Sequence, residues 1–215
     1  MKTDKKAALA EFHREQMLTA AEKLFEAKGV AGTTMDDIAK AADYSKATIY
    51  VYFKNKDEIV NALVLRGMRL LHTTISEAIR KPQNWIKTYY SICNAIAGFY
   101  SENPAAYEAT TGNINVDLDA PETPQVFRDI FEVGEQINRS IATFFEQGIA
   151  DGVLKKQVCV MQTVFTFWAS LTGIMRMAKD KQDYISRYLG IEKEHFLQNS
   201  YQLLLDSILT GGQTE

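Results

Sequence analysis

Apolar residues recur at intervals of three and four positions along nearly the whole chain of 215 residues, and no stretch shows a convincing apolar-polar alternation. This spacing places apolar side chains on one face of a helix, so the sequence predicts an all-α protein. With 46% apolar residues and only 4 Pro, the chain can bury a substantial core and is neither disordered nor collagen-like. We predict about nine helices, near residues 10–28, 35–42, 46–53, 55–80, 84–101, 104–112, 124–150, 157–180 and 193–210.

Residues with specific capping preferences stand at the ends of the first three helices. Gly29 suits the left-handed conformation that ends many helices, and Asp43 tolerates that conformation in the turn between the two short helices. Thr34 and Ser45 offer side-chain oxygens as N-caps, and Asp37 stands three residues after Thr34 as a capping-box partner. We therefore expect two short helices separated by a tight turn.

The fourth helix is expected to connect the front of the chain to the rest. It begins at Asn55, whose side chain is the predicted N-cap while Glu58 reaches back, and it continues to about Arg80. The helix follows directly with no Gly-rich or Pro-rich linker, so we expect the small front unit and the helical body to move together. We divide the chain into a small front domain, residues 1–56, and a helical body, residues 57–215.

The net charge of −3 is unevenly distributed. Residues 1–56 carry ten Lys and Arg against eight Asp and Glu, whereas residues 57–215 carry fourteen against nineteen. Residues 44–56 contain three lysines and no acidic residue. This short stretch is therefore the part of the chain best suited to face phosphate groups.

The two short helices and their turn form a helix-turn-helix pattern, whose second helix can enter the major groove of DNA. Ile49 and Phe53, four residues apart, are expected to anchor that helix, while the side chains between them face outward. Lys56, in the first turn of the fourth helix, and Thr34, at the start of the second, are candidate phosphate contacts. The predicted DNA-binding residues are Thr34, Ser45, Lys46, Ala47, Thr48, Tyr50, Val51, Tyr52 and Lys56.

Over these residues the sequence resembles the tetracycline-repressor (TetR) family of transcription regulators. The resemblance is carried by TTMDDIAKAA at residues 33–42 and SKATIYVYFKNKDE at residues 45–58. It implies an Ω-shaped homodimer of nine-helix subunits, with an N-terminal DNA-binding domain and a C-terminal domain that dimerises and binds a small inducer. By position, it implies DNA contacts from Thr48, Tyr50, Tyr52 and Lys56, with Thr34, Lys46 and Ala47 near them.

The sequence departs from the family pattern at two places. Asp43 and Tyr44 stand in the turn, where the family usually has Gly and a small aliphatic residue. Val51 stands where many relatives have an aromatic residue or His, and it offers only an apolar contact, such as one to a thymine methyl group. The base preference of relatives therefore does not transfer to this chain.

The same residues also allow less specific interpretations. A helix-turn-helix arrangement occurs in purely structural helix pairs, and Tyr50 or Tyr52 can pack on the fourth helix instead of facing DNA. Lys54 is expected to be solvated. The alternative function is that of a helical interaction protein that no longer binds DNA.

The two C-terminal helices, residues 157–180 and 193–210, carry large apolar residues on more than one face. A single subunit cannot bury all of them, so we expect these helices to form a four-helix homodimer interface. A dimer also places two recognition helices about 34 Å apart, as successive major grooves require.

A pocket for a small-molecule effector is expected inside the helical body. Aromatic and soft side chains supply apolar surface there, and a few polar residues can orient a largely apolar compound. Each of these residues has the alternative of ordinary core packing. The candidate ligand-binding residues are Tyr89, Cys93, Phe131, Asn138, Phe165, Trp168 and Thr172.

Other functional classes lack their sequence signatures. The two cysteines, Cys93 and Cys159, form no CxxC pair and are expected to be buried thiols, and His13, His72 and His195 are scattered, so we expect no bound metal and no cofactor. No GxSxG elbow or Gly-rich phosphate loop suggests an enzyme. No apolar run approaches a membrane span and no leader pattern opens the chain, so we expect a cytoplasmic protein. The expected function is that of a DNA-binding transcriptional regulator, a ligand-released repressor.

Overall fold

The computed structural model describes residues 2–103, 107 and 116–211, and most of these residues are helical. They contain no named strand, and one isolated antiparallel bridge joins Leu154 and Leu209. The prediction of an all-α protein is confirmed. The described helices are α1 (Lys2–Lys28), α2 (Met35–Ala41), α3 (Lys46–Tyr52), α4 (Lys56–Arg80), α5 (Trp85–Glu102), α6 (Gln125–Ala150), α7 (Val160–Asp180), α8 (Gln182–Tyr184) and α9 (Lys193–Ile208).

Several helix bounds differ from those that the sequence predicts. Helix α1 begins at Lys2 rather than near residue 10, because residues 5–10 are mostly good helix formers whose exposed side chains carry no apolar periodicity. A π-helix, Ile185–Leu189, follows α8 in a stretch where no helix was expected, and Gly190 at φ 64° ends it. The helix predicted at 104–112 lies outside the described residues, apart from residue 107.

The chain forms two compact units. Among the described residues, the first unit contains residues 2–69, 107 and 116–131, and the second contains residues 70–103 and 132–211. Helix α4 is continuous, with residues 56–69 in the first unit and 70–80 in the second.

The first unit has a core built from α1, α2, α3 and the start of α4. Apolar side chains from each of these helices are buried together, because each helix directs one apolar face inward. Arg66 of α4 also bonds to Glu15 and Glu22 of α1, at 3.2 and 2.7 Å, which ties the two longest helices of this core together. The buried core residues are Met17, Leu18, Ala21, Ile38, Ala39, Ile49, Phe53, Ile59 and Ala62.

The core of the second unit contains a close contact between α5 and α6. The Trp85 ring stacks on Phe144 with centroids 4.4 Å apart, and its indole N–H donates to the Phe144 carbonyl at 2.9 Å. Gly148 makes this approach possible, because a Cβ atom there would lie 2.6 Å from the Trp85 ring. Farther along α5, the Tyr89 hydroxyl donates to the Tyr201 carbonyl of α9 at 3.0 Å.

Two kinds of site are absent from the part of the chain that the structure describes. None of its helices is both long and apolar enough to span a bilayer. Its His, Cys, Asp and Glu side chains nowhere gather in a group of three that is suited to hold a metal ion.

Candidate nucleic-acid interface

The first turn of α2 is held by the capping box that the sequence predicts. The Thr34 hydroxyl accepts from the Asp37 amide at 3.1 Å, and the Asp37 carboxylate accepts from the Thr34 amide at 2.9 Å. Lys28 of α1 bonds to the same carboxylate at 2.9 Å. This lysine, followed by the bonds from Thr34, holds the pKa of Asp37 well below its usual range. Thr34 is exposed at the helix N-terminus, where a phosphate can approach it.

The turn between α2 and α3 is attached to α1. Asp43 has the positive φ that the sequence predicts, 60°, and this directs Tyr44 back toward the core. The Tyr44 hydroxyl and His13 Nδ1 are 2.6 Å apart. The His13 ring also lies edge-on to Tyr44 and Tyr52, with centroids 5.5 and 6.1 Å away. His13 of α1 thus contacts Tyr44, just before α3, and Tyr52, the last residue of α3.

Helix α3 divides sharply into a buried and an exposed face. Ile49 and Phe53 are buried in the core of the first unit, and the Arg14 guanidinium lies over the Phe53 ring at 4.5 Å. On the other face, Tyr50 is 46% exposed and Val51 79% exposed. The helix is therefore anchored from behind and presents its outer side chains to solvent.

The N-terminus of α3 is capped by Ser45. Its hydroxyl oxygen accepts from the Thr48 amide at 3.0 Å and lies 2.7 Å from the Thr48 hydroxyl. Ala47, between them, is exposed and leaves the first turn of the helix open. Ser45 and Thr48 thus place two hydroxyl groups at the N-terminus of α3, where backbone N–H groups also face outward.

The two predicted phosphate-binding lysines already have partners within the protein. Lys46 forms an ion pair with Asp36 of α2 at 2.8 Å, and this bond raises the pKa of the lysine. The Lys56 ammonium donates to the carbonyls of Val30 and Thr33 at 2.6 and 2.9 Å. An ammonium has three donors, so Lys56 retains one for a phosphate.

Helix α4 starts as predicted, with one difference. The Asn55 side chain accepts from the Glu58 amide at 2.9 Å, so Asn55 is the N-cap. The Glu58 carboxylate, however, accepts from the backbone amide of Lys54 rather than that of Asn55. The Lys54 ammonium is exposed and lies 4.0 Å from Glu58, in agreement with the solvated state that we expect.

The structure therefore brings the nine predicted DNA-binding residues to α3, its cap and the N-termini of the two adjacent helices. Tyr52 is half-buried and packs against His13 and the core of the first unit, so it is the least available of them. Sequence reasoning missed Asp36 as the partner of Lys46, and His13 and Tyr44 as residues that attach the turn before α3 to α1. Only the departure at Tyr44 from the family pattern signalled one of them.

The candidate ligand-binding residues are dispersed. Tyr89 and Cys93 are buried in α5, and burial raises the pKa of the Cys93 thiol to about 12. The expectation that all seven lie inside the bundle is wrong for Phe131, which is 50% exposed in the first unit, and for Phe165, which is 60% exposed in the second.

The polar members of that set are also partly engaged. The Trp168 indole N–H donates to the Asn138 side-chain oxygen at 3.2 Å, and Thr172 is half-buried one turn farther along α7. Asn138 also donates to the carboxylate of Glu135 at 3.3 Å. These residues can orient a ligand only by exchanging bonds that they already make.

The second unit contains several cavities. One of about 150 Å³ is lined by Tyr89, Phe167, Thr163 and Cys159 among others. The expectation that Cys159 is buried is wrong, because this residue precedes the first turn of α7 and is exposed. A larger cavity of about 250 Å³ lies between α5, α7 and α9.

Comparisons with known proteins identify a matching family and related sequences. Residues 17–63 match the model of a family described as bacterial regulatory proteins, tetR family. The biofilm operon icaADBC HTH-type negative transcriptional regulator IcaR of Staphylococcus aureus (strain Newman) is 26% identical over 139 residues, which span 62% of this chain and 70% of that protein.

Solved structures share the fold. The TetR family transcriptional regulator PfmR from Thermus thermophilus has a TM-score of 0.66 at 20% identity, covering 88% of this chain and 97% of that one. SmeT, in its complex with triclosan, has a TM-score of 0.66 at 18% identity, covering 93% of each chain.

Proposed function

The chain belongs to the tetR family of bacterial regulatory proteins and is a DNA-binding transcriptional regulator, and on that premise we propose that it is a ligand-released repressor. It binds a palindromic operator in the cytoplasm as a homodimer, and a small, largely apolar effector releases it. Residues 1–56 bind the DNA, and residues 57–215 bind the effector and dimerise. A relative named as a negative transcriptional regulator supports repression.

One observation carries the DNA-binding part of this proposal: the two opposite faces of α3. Buried Ile49 and Phe53 fix the helix, while exposed Tyr50 and Val51 face outward with the Thr48 hydroxyl at the helix start. Such a helix fits the major groove, where its polar groups reach base edges and its apolar groups contact thymine methyls. Thr34, Lys46 and Lys56 then contact phosphates and set the position of α3 on the duplex.

The dimer part is supported by the second unit. Met161 and Phe165 of α7 and Leu203 of α9 are exposed large apolar side chains. Helices that leave such residues uncovered commonly pair with a second copy in a four-helix arrangement. Two copies of α3 about 34 Å apart would then enter successive major grooves on one face of the duplex.

The release part is supported by α4 and by a neighbour of the same fold. Helix α4 runs without a break from Lys56 to Arg80, so a shift at its far end can move its first turn. SmeT is known in a complex with triclosan. To change the bound fraction from about 99% to about 1%, the effector must favour the released state by about 10⁴-fold, or about 5.5 kcal/mol.

The proposal is tested by selecting duplexes from a random pool with the purified full chain. We expect an inverted-repeat consensus, two chains per selected duplex, and an affinity that falls steeply as salt is added. No enrichment above the starting pool would refute DNA binding and favour the helical interaction protein. Enrichment of a single half-site by one chain would refute the dimer.

A further inference from the structure

The cavity of about 250 Å³ in the second unit combines an apolar wall with two ammonium groups. Ala97 and Tyr100 of α5, Met175 of α7 and Leu197 of α9 supply the wall. Lys179 and Lys193, from the ends of α7 and α9 that meet here, complete the lining. We propose that this cavity binds a small organic anion, a carboxylate on an apolar body.

The charges at the cavity favour an anion. The Lys179 ammonium lies 5.5 Å from the centre of the buried Tyr100 ring, so a cation–π contact holds it beside the cavity wall. Within the described part of the chain, no carboxylate comes within 4.0 Å of Lys179 or Lys193. None of the residues that line the cavity is acidic. A carboxylate can therefore bond to both ammonium groups without displacing an internal partner.

The size of the cavity limits the apolar body. At roughly 30 Å³ for each water molecule, the volume corresponds to about eight waters, and so to a ligand of about ten non-hydrogen atoms. The methyl and thioether groups of Ala97 and Met175 and the Leu197 side chain suit a hydrocarbon body there. An eight-carbon carboxylate matches both the volume and the charge.

This inference rests on the proposed function, since it gives the effector of the second unit a chemical class and a place. The place differs from the residues around Tyr89 and Trp168 that the sequence favours. Lys179 lies in the last turn of α7 and Lys193 is the first residue of α9, so a ligand that contacts both bridges the helices that we propose for the dimer.

The test uses the purified full chain without DNA and compares octanoate, octan-1-ol and octylammonium by titration calorimetry. We expect octanoate to bind at least about tenfold more tightly than the alcohol, and octylammonium to bind least. The double variant Lys179→Gln with Lys193→Gln should lower the affinity for octanoate to that for the alcohol. Lys156→Gln, which changes an exposed lysine outside the lining, is the matched control and should bind octanoate as the native chain does.

Three results would overturn the inference: equal affinity for octanoate and octan-1-ol, no octanoate binding, or undiminished octanoate binding by the double variant. Duplex selection on the same preparations separates this inference from the proposed function. If the chain still selects an inverted-repeat duplex, any of those three results contradicts only the proposed anion site. Octanoate preference that is lost in the double variant supports the site even where duplex selection fails.

Discussion

Replacing Lys46 by Met should reduce the salt dependence of DNA binding by a specific amount. The substitution keeps the apolar stem of the side chain and removes the charge next to the exposed face of α3. Each phosphate contact contributes about 0.9 to the slope of log affinity against log salt concentration, so a dimer that loses two contacts should lose about 1.8 from that slope. Between about 50 and about 200 mM salt, the affinity of the variant should then fall about 12-fold less than that of the native chain.

The ion pair between Lys46 and Asp36 allows a second substitution with the opposite expected effect on DNA binding. In the free protein the lysine is held 2.8 Å from a carboxylate, which it must leave in order to reach a phosphate. Asp36→Asn removes this competing partner and a negative charge near the DNA, so it should tighten binding while Lys46→Met weakens it. The two substitutions are matched because they delete the two members of one exposed pair.

Fluorescence anisotropy with a selected duplex, over a series of salt concentrations, measures both effects. Thermal unfolding of each variant checks that the first unit stays folded. An unchanged slope for Lys46→Met would refute the assignment of Lys46 as a phosphate contact. Weaker binding by Asp36→Asn would show that the ion pair positions α3 rather than competing with DNA.

Three further predictions concern packing and thiol chemistry. Gly148→Ala should lower the free energy of unfolding by about 1–3 kcal/mol in urea titrations, because the new Cβ would meet Trp85; unchanged stability would mean that this contact is loose. Under native conditions Ellman's reagent should react with Cys159 and spare Cys93 until the chain unfolds, and fast reaction of both thiols would contradict the burial of Cys93. Burial raises the pKa of the Cys93 thiol from its ordinary value of 9.0 to about 12 in the folded chain. Above pH 9 the thiol therefore ionises more readily in the unfolded chain, so the stability that is fully present below pH 9 is lost as the pH rises toward 12. Cys93→Ala should therefore flatten the alkaline decline in unfolding free energy by up to about 1.4 kcal/mol per pH unit, and equal declines would refute this.

The local features of the DNA-binding unit are predictable from its sequence because they depend on residues three or four positions apart. Thr34 with Asp37, Ser45 with Thr48, and Asp43 in its left-handed turn all form as expected. Each depends on a hydrogen bond or a steric preference within one turn of helix.

The features that sequence reasoning missed join residues far apart in the chain. Lys56 bonds to carbonyls 23 and 26 residues earlier, and Tyr44 bonds to a histidine 31 residues earlier. No short-range pattern encodes such pairs, because they depend on how α1 and α4 pack. Cys159 is exposed rather than buried, and it lies just before α7, which starts three residues later than predicted.

At the candidate effector site, too, the sequence predicts local features but not the contacts between distant helices. Aromatic and soft residues at helical spacing predict an apolar interior, and Tyr89 and Cys93 lie there. The spacing does not say which face of a helix remains uncovered, so Phe131 and Phe165 are exposed instead. Lys179 and Lys193 meet at one cavity only because α7 and α9 converge, and no sequence pattern links them.

The outward face of α3 is tested most directly by the affinity of Val51→Glu for a selected duplex. Val51 is 79% exposed, so the substitution has little effect on the fold and places a carboxylate where we expect the DNA. Tyr188→Glu, at a residue 76% exposed in the second unit, is the control. We predict that Val51→Glu weakens binding at least about 100-fold while the control binds normally, since like charges at an interface cost several kcal/mol. Native affinity in Val51→Glu would contradict the account.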